Sequence, residues 1–413
     1  MKRVSILSMH TSPLAQPGVG DGGGMNVYVR ELVSALAHAG LDCTTYTRAW
    51  QPGLPEVVNV EPNHKVVHVP AGDFDLPKGE LLNVVDEFTN NVRKHIVESG
   101  GTDVLHANYW LSGLSGHNLK HDLDLPLVTT FHTLARVKAQ GGDPESEERE
   151  KGEASIIGCA DAICVSCTEE ERQFRSLYGD PPGTLEIVAP GVEHAFFAPG
   201  EKRGARHALG IDASAPVLLF VGRIQPLKGL DVAVQALAQL RQPNAQLIVV
   251  GGASGLEGAG EVEHIVSLAH SLGLTTSFTG AAGEANIRFV EPQAHHMLST
   301  YYRAADVVVV PSRSESFGLV ALEAAACGIP VVASGVGGLL TIINDAETGF
   351  LVADRDPEKF AEHIDFLLST PTEAYAMGMR AAEKARHYTW SFAAARLRRA
   401  YSDVSIRDRV ACR

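Results

Sequence analysis

Val307-Val-Val-Val310-Pro311-Ser-Arg-Ser-Glu315-Ser-Phe317-Gly318-Leu-Val-Ala-Leu-Glu323 reads as a buried strand, a polar loop and the opening of a helix. A run of four valines suits a pleated strand covered on both faces. The helix is predicted to open at about Phe317, which leaves Glu315 in the loop at its mouth and Glu323 roughly two turns inside. The backbone N–H groups of Gly318, Leu319 and Val320 then form a positive helix end between two carboxylates. A solvated acid and a surface glutamate would be the plain alternative. Leu322 and Ala324–Ala326, which flank Glu323, count against a solvent face.

The same alternation of short apolar runs with longer amphipathic stretches extends outward over the chain, twice. In the first half the predicted strands are Val4–Met9, Cys43–Thr47, Lys65–Val69, Val104–Ala107, Leu127–Phe131, Ala162–Ser166 and Ile187–Ala189. Helices are predicted between most of them, among them Asn26–Ala39 and Leu81–Ile96. The segment Phe197–Arg206 is rich in Pro, Gly and charge and reads as a linker. The pattern then restarts with Val217–Gly222, Leu247–Gly252, Val307–Pro311 and Val331–Ser334. Strands alternating with helices imply parallel sheets, so the fold class is α/β with two doubly wound, Rossmann-like domains. The predicted limits are residues 1–197, 198–389 and a terminal helical segment, 390–413, which could cross back to the first domain.

Composition bounds the function. The 413 residues are 45% apolar and 20% charged, ordinary for a globular protein, and the formal net charge is -14. Such acidity counts against a nucleic-acid partner, which needs a basic face. No apolar run approaches the roughly 20 residues of a membrane span. The short apolar run before Pro13 reads as a first strand and not as a signal-peptide core. Six cysteines scattered at 43, 159, 164, 167, 327 and 412 lack the density of a disulfide-stapled secreted domain, so a reducing, cytoplasmic setting is expected. Cys164 and Cys167 form a C-x-x-C without a second pair of ligands at zinc spacing, and no metal site is predicted there.

Gly18, Gly20 and Gly23 match G-x-G-x-x-G literally. A dinucleotide site is nonetheless not expected. The preceding strand ends near Met9, leaving a loop with Pro13 and Pro17 where a tight turn is needed. The next strand ends Tyr46-Thr-Arg48, with no carboxylate to hold a ribose. Gly22-Gly23-Gly24 instead lets backbone N–H groups approach an anion or a sugar where a helix begins. In the second half Arg223 and Lys228 follow a strand, and two cations at a strand end suit a diphosphate. With the Glu315–Glu323 helix mouth they would span a nucleoside diphosphate sugar.

Glu315-x7-Glu323, Gly222-Arg223-x4-Lys228 and Pro190-Gly191-Val192 resemble glycosyltransferase family 4 over nearly the whole chain. The resemblance implies the GT-B architecture with an active site in the interdomain cleft, retention at the anomeric carbon, and no metal required for chemistry, although Mg2+ could be present. It implies that Arg223 and Lys228 hold the diphosphate, Glu315 the donor sugar and Glu323 the ribose. It further implies that Gly24, Gly318, Leu319 and Val320 meet the donor through backbone, and that the backbone near Gln293 reads the base.

The stretch Met9–Tyr28, with Tyr109–Gly113 and Phe131–Ala135, is similar to the D-inositol-3-phosphate glycosyltransferases of mycothiol biosynthesis. That family moves N-acetylglucosamine from UDP-GlcNAc to 1D-myo-inositol 3-phosphate. Its acceptor-phosphate residues fall on Lys78, Tyr109, Thr133 and Arg149, with every residue type kept. Lys, Arg and two hydroxyls are a sound donor set for a phosphomonoester dianion. His10, Asp21 and Asn26 match positions around the inositol ring, and His132 matches a residue that contacts the donor sugar. The sequence departs at His106-Ala-Asn108-Tyr109, where H-S-H-Y is usual, and at Arg136 and Ala139 in a segment that usually reads L-A-A-V-K-N. Arg136 would add a phosphate ligand or shift the acceptor toward another sugar phosphate.

No carboxylate nucleophile stands out in the first half, so front-face transfer is expected, with UDP-GlcNAc or UDP-glucose as donor. A sucrose-phosphate-synthase-like transferase is the alternative on the same scaffold. A two-Rossmann oxidoreductase and a non-catalytic sugar-nucleotide binder are the readings from other classes. A homodimer is suggested by resemblance alone.

Overall fold

The valine run forms a strand inside its sheet, paired in parallel with Val217–Val221 on one side and Val331–Ser334 on the other. The computed structural model describes residues 2–18, 22–254, 258–278 and 285–412. They divide into two compact units. The first comprises Met1–Ala15, Met25–Gly191 and Trp390–Arg413, the second Gln16–Gly24 and Val192–Thr389.

The sheet of the first unit contains β1 (Arg3–Leu7), β2 (Asp42–Arg48), β3 (Val57–Glu61), β4 (His64–Val69), β5 (Val104–Asn108), β6 (Leu127–Thr130), β7 (Ala162–Val165) and β8 (Thr184–Ile187). Their order is β3-β4-β2-β1-β5-β6-β7-β8, all parallel except the edge strand β3. The second sheet contains β9 (Val217–Val221), β10 (Gln246–Val250), β11 (Thr276–Ser277), β12 (Ile287–Val290), β13 (Val307–Val310), β14 (Val331–Ser334) and β15 (Gly349–Val352). It runs β11-β12-β10-β9-β13-β14-β15, parallel throughout. Both orders reverse direction beside the first strand of the unit, which is the doubly wound arrangement expected from the sequence.

Side-chain alternation along the strands builds a core on each face of the first sheet. Val4 and Ile6 of β1 pack with Tyr28, Leu32 and the residues Trp390, Leu397 and Tyr401. Leu7 and Leu105 face the other way, onto Phe88, Trp110 and Leu119. The helix Trp390–Ile406 buries Trp390, Ala393, Ala394, Leu397, Ala400, Tyr401 and Val404, a stripe at helical spacing. No helix among the described residues is long and apolar enough to cross a membrane.

Several boundaries differ from the sequence expectation. The helix after β13 spans Leu319–Ala326 and opens two residues late, because Gly318 takes a left-handed conformation at φ 99°. Glu323 is therefore little more than one turn inside. The segment predicted as a linker contains a helix, Lys202–Ala208, whose N-cap Glu201 accepts from the Arg203 and Gly204 amides. Leu81–Ile96 is two elements, a 3-10 turn Lys78–Val84 and a helix Val85–Glu98. The strand expected at Ile187–Ala189 lies earlier, at Thr184–Ile187. Cys164 and Cys167 are buried outside any disulfide, whereas Cys159 and Cys412 form one.

Candidate active site

In the second unit, the loop after β9 carries Arg223 and ends in a 3-10 turn, Pro226–Lys228. The Arg313 amide donates to the Leu227 carbonyl at 2.9 Å, which ties this loop to the one after β13. Lys228 Nζ thereby reaches Glu315 Oε2 at 2.7 Å, an ion pair in which both side chains are partly exposed. The Glu315 backbone is cradled from below: its carbonyl accepts from the Gly338 amide at 2.9 Å. A Cβ on Gly337 would stand 1.9 Å from that same oxygen, so only glycine fits there. Gly318 at the N-cap has no side chain to bond the first turn of the Leu319–Ala326 helix, whose N–H groups would suit an anion. Leu319 and Val320 form that first turn and are half-buried.

The glycine run belongs to this unit. A Cβ on Gly23 would meet Arg223 Nε at 3.3 Å, and one on Gly24 would meet Leu319 Cδ1 at 3.4 Å. Gly24, Arg223 and Leu319 are thus gathered around one helix mouth. Gly18 turns at φ 86°, but Asp21 lies outside the described residues.

Glu323 is 5% exposed, and both carboxylate oxygens are engaged. His295 Nε2 lies 2.7 Å from Oε1 and the Tyr302 hydroxyl donates to Oε2 at 2.8 Å. Burial and the neighbouring Glu323 push the Tyr302 phenol well above its usual range, so it stays a donor. Each oxygen keeps a second lone pair for another hydroxyl. Gln293 follows β12 and folds its amide back onto the Glu291 carbonyl at 2.8 Å.

In the first unit, a second cluster centres on Tyr109, which sits between β5 and the helix Trp110–Leu123 at φ 76° and ψ 156°. That region is nearly reserved for glycine and costs about 1–3 kcal/mol. The ring is surrounded by His10 at 4.2 Å, Arg149 at 5.0 Å and Lys78 at 5.7 Å. Arg149 is 2% exposed. It donates from Nη1 to the Tyr109 hydroxyl at 3.2 Å, and from Nη2 to the Thr133 carbonyl and Oγ1 at 2.9 and 3.0 Å. The four residues expected to hold a phosphate are therefore in one place. Arg149 is also paired with Glu145 at 2.7 Å and with the buried Glu153 at 2.8 Å. Burial opposes its charge, but Tyr109, Glu153 and Glu145 outweigh that and hold its pKa above the usual arginine value.

His132 lies just past β6, also with positive φ, at 62°. Its Nε2 is 2.9 Å from Asn108 Oδ1, and its ring stands edge-on to Tyr28 at 4.8 Å. Burial, then the neighbouring His106, push its pKa down to about 3, so the imidazole is neutral with Nε2 as the donor to Asn108. Asn108, a departure from the usual motif, thus orients His132. Asn26 is buried and spends its amide nitrogen on Thr11 Oγ1 and the Ser12 carbonyl, at 2.7 and 2.6 Å. It holds the loop that follows His10.

Arg136 does not join the phosphate cluster through its own contacts. Its Nη1 donates to the Leu177 carbonyl at 2.6 Å and its guanidinium lies 4.9 Å from the Tyr178 ring centroid. Sequence reasoning missed Glu145, which precedes the helix N-cap Ser146, and Glu153, which is four residues from Arg149 and shares its helical face. It also missed His295 and Tyr302, for which no local pattern gave a signal.

Glycosyltransferase Family 4 matches residues 22–196 and Glycosyl transferases group 1 matches residues 201–387. D-inositol 3-phosphate glycosyltransferase 2 of Catenulispora acidiphila is 43% identical over 414 residues, covering 97% of this chain and 95% of its own. The chain belongs to glycosyltransferase family 4. D-inositol 3-phosphate glycosyltransferase of Streptosporangium roseum is 40% identical to this glycosyltransferase over 415 residues, with 97% and 93% covered. Sucrose-phosphate synthase of Thermosynechococcus elongatus superposes with a TM-score of 0.89 at 32% identity, over 98% of this chain and 99% of its own. The glycosyltransferase has the GT-B fold, two Rossmann-like domains with parallel sheets.

Proposed function

We propose that this glycosyltransferase moves N-acetylglucosamine from UDP-GlcNAc to 1D-myo-inositol 3-phosphate with retention at the anomeric carbon, as in mycothiol biosynthesis. The observation that carries the reading is the Tyr109 cluster. A buried guanidinium, the Tyr109 and Thr133 hydroxyls and the Lys78 ammonium converge there. Two relatives named for inositol 3-phosphate support it. His10, with Asp21 and with Asn26 holding the adjacent loop, would meet the polyol ring.

On the donor side, Arg223, Lys228 and the first turn at Gly318, Leu319 and Val320 would take the diphosphate. Gly24 would approach the donor through its backbone. Glu315 would accept from sugar hydroxyls, Glu323 from the ribose, and the Gln293 backbone would meet the base. The acceptor hydroxyl oxygen bonds to the anomeric carbon on the face from which UDP departs. The bond between that carbon and the β-phosphate oxygen breaks, and the hydroxyl proton passes to the departing phosphate. The two cations and the helix end stabilise the charge that develops there, so this route requires no Mg2+. Neutral His132, its Nε2–H given to Asn108, would accept from a donor-sugar hydroxyl without acting as a nucleophile. We place the enzyme in the cytoplasm from its sparse, scattered cysteines, and infer a homodimer by resemblance.

The similarity to sucrose-phosphate synthase favours a second reading, a different sugar phosphate as acceptor. The test is UDP release from UDP-GlcNAc with and without 1D-myo-inositol 3-phosphate. Strong acceptor-dependent release supports the proposal. Absence of stimulation, with turnover of UDP-glucose and fructose 6-phosphate, would replace it by the second reading.

A further inference from the structure

A third cluster, in the first unit, has no part in either site. His117 and His121 are four residues apart on the helix Trp110–Leu123, so their rings share a face, with centroids 5.1 Å apart. Cys159 is fully buried just after the helix Glu147–Ile157, and Cys412 comes from the segment that follows Trp390–Ile406. One ring nitrogen from each histidine and the two sulfurs all lie within 4.8 Å of one another. His121 Nε2 is 3.1 Å from Cys412 Sγ and 3.4 Å from Cys159 Sγ. Among the described residues, none gives His117 Nδ1, which is buried, a hydrogen bond.

A disulfide between Cys159 and Cys412 accounts for two of these four groups and gives no reason for the imidazoles. A tetrahedral ion accounts for all four. With Zn–S near 2.3 Å and Zn–N near 2.0–2.1 Å, its ligand atoms stand about 3.3–3.8 Å apart. The sulfurs must separate to that distance, and any pair near the 4.8 Å limit must close to it. Sulfur and imidazole ligands in this number select zinc over magnesium or calcium.

We propose that, with the Cys159–Cys412 bond reduced, His117, His121, Cys159 and Cys412 form a closed Cys2His2 zinc site that fastens the C-terminal segment to the first domain. A thiol reductant supplies two electrons and two protons to open the S–S bond. The two thiol protons then leave as Zn2+ binds, and two thiolates balance its charge. The neutral site does not repel Lys120, which lies on the same helix and donates from Nζ to the Cys159 carbonyl at 2.7 Å. Lys120 Nζ bonds Asp161 Oδ1 at 2.9 Å and the Val410 carbonyl at 3.2 Å, and Asp161 Oδ1 accepts from the Val410 amide at 2.8 Å. These contacts deliver Cys412 to the cluster. A polar cleft lined by Asp86, Asn90 and Asp122 opens on His117 and His121 and gives a cation a way in. Four protein ligands leave no open position, so the ion is structural and not catalytic.

The test uses the full chain, kept reduced with a phosphine, loaded with Zn2+, desalted and analysed for metal, with a chromophoric chelator setting the affinity. The expected content is about one zinc per chain. Cys412→Ser, at an exposed position, and His121→Ala each weaken binding by at least about 10–100-fold, the loss that even outer-shell partners cause. Cys167→Ser, which keeps a helix cap, leaves it unchanged. Cobalt in place of zinc gives the absorption of a tetrahedral thiolate complex. Reduced protein that retains no zinc, or zinc retained equally by Cys412→Ser, overturns the proposal. So does a pair that stays oxidised under the reductant, read as missing free thiols.

Discussion

Lys78→Met separates the phosphate of the acceptor from everything else in the reaction. Lys78 is exposed at the start of a 3-10 turn, and its ammonium lies 5.7 Å from the Tyr109 ring centroid. Methionine keeps the stem and removes the charge. The cation–π contact at such a site is worth about 0.5–1 kcal/mol, so the fold is barely affected. A charge-assisted bond to phosphate is worth about 1.5–3 kcal/mol, which converts to a loss of roughly 12–150-fold in kcat/KM. The assay is coupled UDP release with saturating UDP-GlcNAc, using 1D-myo-inositol 3-phosphate and plain myo-inositol in parallel. The loss is expected with the phosphorylated acceptor alone, and mainly in KM, because the phosphate is bound in ground and transition states alike. Equal loss on both acceptors, or a loss below about threefold on the phosphate, would refute the assignment of Lys78.

Lys228→Met removes a cation from the departing diphosphate and should lower kcat by about 10²–10³-fold with the melting temperature retained, in steady-state assays with saturating donor. Glu323→Ala leaves the buried His295 and Tyr302 without their shared acceptor, at about 1–3 kcal/mol for each orphaned group, and urea unfolding reads the sum. His106 is buried against Tyr401 and Thr130, and burial lowers its pKa to about 3. Because the unfolded chain takes up this proton near pH 6.5 and the folded chain does not, stability should fall below that pH, by up to about 1.4 kcal/mol per pH unit until about pH 3. His106→Gln should remove its own share of the dependence in denaturant titrations at pH 7 and pH 5, leaving the share of the equally buried His132.

The central strands β13 and β14 were legible because they are apolar on both faces. Val331–Ser334 is an example whose limits agree at both ends. The strands that escaped notice lack that signature. The edge strand β3 is largely exposed, β12 carries Arg288 between apolar residues, and β15 opens on glycine. At the sites, Lys228 and Glu315 were legible as motif members, yet their direct ion pair depends on how two loops meet. Arg149 was legible too. Its two carboxylate partners show that the cluster is partly neutralised before any phosphate arrives, which residue types alone do not convey. Cys159 and Cys412 are separated by 253 positions, and no spacing rule reaches that far.

Tyr109 holds a backbone conformation that suits glycine, and the ring it carries supports His10, Lys78 and Arg149. Selection for heat resistance and selection for turnover therefore both hold the ring at this position, against its backbone. Glycine would relax about 1–3 kcal/mol of backbone strain, but deleting the buried ring costs about 3–5 kcal/mol and strips the cluster of its hub. Libraries of this enzyme screened only for thermal survival would be expected to keep an aromatic ring at 109 despite the strain it imposes.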